Sequence, residues 1–187
     1  MEPTENLSAF LAGIERRAFR QAMFATQNQE AALDIVQEAM LKLAEHYAQR
    51  PADEWPLLFQ RILQNVIRDH HRRSRVRSMW ISLLSALVPQ RDDDEANLLD
   101  SLATTGEPAF AAPDDETGRR QTRAIIDTAI ARLPLRQRQA FLLRYLEELD
   151  VAQTAAVMGC SEGSVKTHCS RACHTLAAWL EEKGIRP

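Results

Sequence analysis

The chain has 187 residues, 45% apolar and 26% charged, with three cysteines and a net charge of −3. That length suits one ordinary domain or two small ones, and the balance is that of a globular chain. No apolar run approaches bilayer length, the first residues lack the basic start and apolar core of a secretion signal, and an odd cysteine count argues against a disulfide framework, so a cytoplasmic protein is expected.

Gly and Pro are scarce, β-branched alternation is nearly absent, and Ala, Leu, Gln, Glu and Arg dominate, which predicts an all-α fold. The charge is unevenly spread: residues 1–78 carry +1, residues 79–118 carry −8 and residues 119–187 carry +4. Two basic ends around an acidic middle suit a nucleic-acid binder better than the total does.

In chain order, Leu7, Phe10, Leu11, Ile14, Ala18 and Phe19 recur at helical spacing and predict a helix over 5–25. A second helix is predicted over 30–47, with Ala32, Val36, Ala39 or Met40, Leu43 and Tyr47 as its core stripe. Its other stripe, Asp34, Gln37, Glu38, Leu41 and Glu45, is polar with a single leucine. It is either a solvated face or a docking surface, with Leu41 as the apolar anchor inside a polar rim.

After a loop over 49–54, a long helix is predicted from Trp55 to about Arg77, with Trp55, Phe59, Ile62 and Val66 facing the core. Arg61, Asn65, Arg68, Arg72 and Arg75 succeed one another on a different face, and the helix closes on HHRRSRVR. Cations at a helix C-terminus suit the macrodipole. Four arginines and an asparagine along the length go beyond capping and resemble a phosphate track, with Asn65 able to reach a base edge. Residues 79–118 follow as a flexible linker. A short amphipathic helix through Trp80, Leu83, Leu84 and Leu87 precedes the acidic run 92–95, an NLLDSL patch and two prolines. This composition cannot bury a core, and so long a structureless stretch joins two domains rather than interrupting one.

The C-terminal part is helical again. Ile125, Ile126, Ala129, Ile130 and Leu133 share a face, Pro134 opens the next helix, and Phe141, Leu142, Tyr145 and Leu149 continue the core. Asp150 to Leu180 reads as a short helix, a tight turn and a longer helix. Val151, Ala155 and Met158 mark the inner face of the first, Gly159 ends it, and Ser161 caps the second. Val165, Cys169, Ala172, Leu176 and Trp179 or Leu180 bury the second helix, leaving Ser164, Lys166, Thr167, Ser170 and Arg171 outward. A helix entering a DNA major groove needs such a set of donors. Taken alone, the pattern fits a plain helix pair equally well.

The sequence contains no Gly-rich phosphate loop, nucleophile elbow or HExxH, so no catalysis and no cofactor are expected. His168, Cys169, Cys173 and His174 sit close together, but Cys169 falls on the apolar stripe and no second ligand pair accompanies it, so no metal site is expected. Cys173 as a redox sensor lacks a resolving partner.

Two stretches carry a family resemblance. LPLRQRQAFLLRYLEELDVAQTAAVMGCSEGSVKTHCSRACHTL resembles region four of bacterial RNA polymerase sigma factors, and ALDIVQEAMLKLAEHY followed by FQRILQNVIRDHHRRSR resembles their region two. The order and short length are similar to the extracytoplasmic-function (ECF) group, over residues 5–78 and 119–181. The resemblance implies two small helical domains, 1–78 and 119–187, joined by the acidic linker 79–118. It implies that Asp34, Gln37, Glu38 and Leu41 dock on core RNA polymerase. It places Arg61, Asn65, Arg68, Arg72 and Arg73 on the melted single strand of the minus-ten element, and Ser164, Lys166, Thr167, Ser170 and Arg171 on the minus-35 duplex. It also implies an anti-sigma partner, no small-molecule substrate, and a linker that threads toward the polymerase active centre. The chain departs from the family where Leu58 and Trp55 stand for the usual Trp and Phe, where Cys173 replaces a common Arg, and at His168. The rival readings are a stand-alone helix-turn-helix regulator and a sigma-like adaptor that binds a protein through the helix around Trp80.

Overall fold

The apolar periodicity of the N-terminal part is realised as three helices, α1 (Pro3–Thr26), α2 (Gln29–Tyr47) and α3 (Trp55–Leu87). They belong to a computed structural model that describes residues 3–87 and 117–184. Ala18, Ala22, Ala32 and Ala39 are fully buried, and these small residues let α1 and α2 approach closely. Leu43, Phe59 and Leu63 fill the space beneath α3. Gln27 takes a left-handed conformation at the α1–α2 turn, and the Asn28 side chain accepts from the Ala31 amide to cap α2. Trp55 fixes the start of α3. It is buried, its ring lies 5.9 Å from that of Phe10, and its indole N–H donates to the Tyr47 carbonyl at 3.1 Å. Leu58 packs only partly buried against the same core, so the aromatic bulk of this segment is carried by Trp55 and Phe59.

The third helix overruns its expected end. The sequence predicts a stop near Arg77 and a separate amphipathic helix around Trp80; instead α3 continues to Leu87. No Gly or Pro occurs between Pro56 and Pro89 to break it. The acidic run 92–95 and the NLLDSL patch lie outside the described residues.

The C-terminal part contains α4 (Thr117–Arg132), α5 (Leu135–Phe141), a π turn over Leu142–Leu146, α6 (Val151–Met158) and α7 (Glu162–Glu182). Pro134 sits at the N-cap of α5. Two expected core residues are on the surface: Ile126 is 37% and Tyr145 57% exposed. For Tyr145 the cause is the π turn. It inserts an extra residue into the helical register, so Leu142 and Leu143 stay buried while Tyr145 swings outward.

The sequence left the relative placement of the two helical units open. In the structure they touch along a largely polar seam. Phe24 of α1 is 1% exposed and belongs to the cluster of Ala129, Ile130, Leu133, Leu142, Ala172 and Leu176. Arg20 pairs with Asp127 at 3.0 Å, and Glu147 accepts from Arg17 at 3.1 Å and from Gln60 at 2.9 Å. Arg138 donates to the carbonyls of Ala131 and Ala25, and burial pulls its guanidinium down to about 10, so it stays charged at neutral pH. Gln21 links Gln60 and Gln64 behind the seam.

Burial pushes the Glu147 carboxyl up from its ordinary value of 4.5; Arg17 opposes the shift, but its half-exposed side chain is screened by solvent. A carboxyl raised in the folded state binds its proton more tightly folded than unfolded. Its contribution to stability is full below the ordinary value and is lost as pH rises through the raised one. In Glu147→Gln this decline should vanish from a stability–pH profile, and an unaltered profile would place its origin elsewhere.

Candidate nucleic-acid interface

Local chemistry folds α6, the turn and α7 into a rigid support. Asp150 opens α6 with a reciprocal capping box: its carboxylate accepts from the Gln153 amide at 2.7 Å, and the Gln153 side chain accepts from the Asp150 amide at 3.0 Å. The buried Thr154 hydroxyl donates to the Asp150 carbonyl. Gly159 ends α6 at φ 63°, ψ 45°, and Arg136 reaches from α5 to the Met158 carbonyl at 3.0 Å. Ser161 caps α7 by accepting from the Ser164 amide. Val165, Ala172 and Leu176 bury the inner face of α7.

Gly159 is required for its dihedral, because a Cβ there would meet open space. Gly159→Ala should therefore cost about 1 kcal/mol of stability through left-handed strain alone, read by chemical denaturation. A loss of several kcal/mol would show that the turn is needed for more than its backbone angle.

The outer face of α7 is as the spacing predicts. Lys166, Thr167, Ser170 and Arg171 are exposed, and none of the ion pairs among the described residues engages Lys166 or Arg171. Ser164 is the exception: it is half-buried, and its hydroxyl lies 2.9 Å from that of Ser161. The Thr167 hydroxyl donates back to the Gly163 carbonyl, which leaves its lone pairs and methyl group facing outward.

On α3, Arg61, Arg68, Arg72 and Arg73 are exposed, and Asn65 is half-buried with its side-chain oxygen accepting from Arg68. Arg72 meets Asp69 only at 3.9 Å and is 78% exposed, so it remains available to an outside anion. From Arg61 to Arg73 the track runs about 18 Å along the helix. It continues past the expected residues into Val76, Met79 and Trp80, which are 45%, 56% and 58% exposed.

On α2, Asp34, Gln37 and Leu41 are exposed, Leu41 at 58%, while Lys42 ties Glu38 at 2.6 Å. Leu33, 42% exposed beside Asp34, is an apolar member of this surface that the stripe did not include. The three sets lie on three different helices, α2, α3 and α7. Sequence reasoning also missed the seam residues Arg17, Arg20, Gln60, Asp127 and Glu147, whose pairing depends on tertiary contact.

Cys160 and Cys169 are half-buried, and burial pushes the Cys169 thiol up, away from thiolate reactivity. Cys173 is exposed, 3.8 Å from the Tyr145 hydroxyl. Among the described residues no group of three or more His, Cys, Asp or Glu is gathered as a metal site requires, and no helix is long and apolar enough to cross a membrane.

Residues 123–176, spanning the end of α4 through most of α7, match the family described as Sigma-70, region 4. The chain is 28% identical over 172 residues to the ECF RNA polymerase sigma factor SigL of Mycobacterium tuberculosis, covering 89% of this chain and 84% of the relative. It is 28% identical over 174 residues to the ECF RNA polymerase sigma factor BldN of Streptomyces coelicolor, covering 88% of this chain and 56% of that one. Among solved structures, the sigma factor RpoE of Bartonella quintana, in complex with the anti-sigma factor NepR, shares the fold at a TM-score of 0.60 and 18% identity, over 93% of this chain and 96% of that one. The region-four match falls on the helix-turn-helix built above, and the similarity to the relatives reaches across the α2 and α3 faces as well: the chain carries a stretch matching Sigma-70, region 4 and is similar over most of its length to extracytoplasmic-function sigma factors of bacterial RNA polymerase.

Proposed function

We propose that this protein directs core RNA polymerase to promoters, using three separate surfaces in one initiation event. The observation that carries the proposal is the exposed outer face of α7, with Lys166 and Arg171 in none of the ion pairs among the described residues, on a rigidly capped helix. Here α7 enters the major groove of the minus-35 element, with Lys166, Thr167, Ser170 and Arg171 toward the bases and Ser164 toward a phosphate. The α3 track of Arg61, Arg68, Arg72 and Arg73 holds the backbone of the melted minus-ten strand, and Asn65 reads a base edge. The α2 face of Asp34, Gln37, Glu38 and Leu41 docks on the polymerase.

The protein performs no catalysis in this scheme. Binding energy goes into placing polymerase and holding one strand open, and the site of action is the cytoplasm. An anti-sigma protein is the expected inhibitory partner.

Run-off transcription with core polymerase over a library of promoter fragments tests the proposal. Start sites that depend on this protein are expected, and their absence would sink it. A stand-alone regulator would instead bind duplex tightly without polymerase and leave the α2 and α3 faces without a role. Arg171→Ala should cost about 1–3 kcal/mol of promoter affinity and relax one position of the upstream element if Arg171 reads a base. Uniform weakening across sequences would make it a phosphate contact.

A further inference from the structure

The π turn over Leu142–Leu146 interrupts the regular bonding of its helix, and such turns gather at functional sites. Its effect falls on one side chain. Leu142 and Leu143 stay buried, while Tyr145 stands 57% exposed beside α7. The ring is nevertheless fixed. It lies 4.9 Å from that of Phe141, tilted by 40°, and its hydroxyl oxygen accepts from the Cys173 thiol at 3.8 Å. Phe141 itself packs half-buried against the core of Ala129, Ile130 and Leu133. The stack and the thiol together hold the phenol at one place on the surface.

That place is the edge of the α7 face assigned to DNA. Cys173 is exposed, seven residues after Lys166 and three after Ser170, and both steps bring a helix back to nearly the same side. The thiol donates and the phenol accepts, so the phenol keeps its own proton for a partner outside the protein. The Cys173 side chain is short. The hydroxyl beside it is the group that reaches outward from this end of the row.

A phosphate is the partner this geometry fits. A helix with its side chains is about as wide as the major groove, so residues on its outer row meet base edges, while a group standing beside the helix meets the backbone wall. Tyr145 comes from the π turn ahead of the helix-turn-helix, not from α7. Tyrosine hydroxyls are among the donors that phosphate oxygens accept from, and such contacts set register without reading sequence. We infer that Tyr145 is a further DNA contact of the upstream element: held by Phe141 and Cys173, its hydroxyl donates to one backbone phosphate at the flank of α7. The inference rests on the assignment of α7 to that element.

Binding of the full chain with core polymerase to a promoter fragment recovered by run-off transcription tests the contact. Tyr145→Phe keeps the ring and its stack on Phe141 and removes only the hydroxyl. It should leave the melting temperature unchanged and weaken promoter binding about 5–20-fold, as for a partly solvated hydrogen bond to a charged group. The loss should be equal across fragments with single base-pair changes in the upstream element. The dependence of affinity on salt should stay as in wild type, because a neutral donor displaces no counterion. Cys173→Arg puts a cation in the same place, so it should steepen that dependence by about 0.9 in log–log slope and make an added Tyr145→Phe nearly silent. A scan of single methylphosphonates, each removing one phosphate charge, should find one position where wild type and Tyr145→Phe bind alike. Wild-type affinity in Tyr145→Phe, a loss confined to one base pair, a scan without such a position, or a full added loss beside Cys173→Arg would each overturn the inference. Arg171→Ala separates the two ideas. If it weakens binding while Tyr145→Phe does not, the promoter assignment stands and the Tyr145 contact is lost. If neither changes binding, or the library yields no start site, both fall.

Discussion

Replacing Phe59 with alanine is expected to destabilise the N-terminal unit by about 3–5 kcal/mol, the usual cost of deleting a fully buried aromatic ring. Phe59 is 0% exposed, its ring lies edge-on to Phe10 at 6.3 Å, and it shares the core with Trp55, Leu43 and Leu63. The effect should reach beyond stability. Phe59 and Trp55 together seat α3 on α1 and α2, and the arginine track and the proposed docking face lie on α3 and α2. Urea unfolding followed by far-UV circular dichroism measures the loss. Ile62→Ala, one turn on and only half-buried, should cost less. A Phe59→Ala loss below about 1 kcal/mol would mean that the core closes around the gap, and that the bulk of Trp55 suffices to hold the helix.

Most of the helical layout was legible because it is local. Periodic apolar residues, Gly159 at the left-handed end, Ser161 as a cap and Pro134 at a helix start each act within a few residues, and all appear where their chemistry demands. The outward residues of α7 were legible for the same reason: fixing one apolar stripe fixes its opposite face. What escaped is non-local. The π turn that ejects Tyr145 changes the register by one residue without a sequence marker. The seam is built from Arg17, Arg20, Gln60, Asp127 and Glu147, side chains that read as ordinary solvated residues until a partner from another helix meets them. The extension of α3 to Leu87 was hidden by composition. The basic cluster looked like a helix end, yet nothing within it breaks a helix. The departure at Trp55 illustrates both sides. Its burial was readable from periodicity, whereas its bond to the Tyr47 carbonyl needed the fold.

Asp34→Ala combined with Leu41→Ala should weaken binding to core polymerase by about 10–100-fold, or about 1.4–2.8 kcal/mol, while leaving the melting temperature unchanged. The separation follows from burial. Both side chains are exposed, so the folded chain loses little when they are truncated, and only a partner that covers them registers the change. Leu41 should dominate. Covering its exposed side chain contributes about 1–2 kcal/mol through apolar area alone, and Leu33 nearby widens the same apolar spot. Asp34 contributes orientation and on-rate, so its share should shrink as salt rises while that of Leu41 persists. Lys42→Ala is the informative control. Its pairing with Glu38 on the open surface contributes less than about 1 kcal/mol, so its removal should free Glu38 and alter polymerase affinity only slightly. Titration of labelled protein with core polymerase, read by fluorescence anisotropy at two salt concentrations, distinguishes the contributions. If the double variant binds as tightly as wild type, the α2 stripe is a solvated face after all, and polymerase must dock elsewhere. The exposed end of α3 around Met79 and Trp80 is then the next surface to truncate, because Val76, Met79 and Trp80 stand together in solvent beside the arginines of that helix.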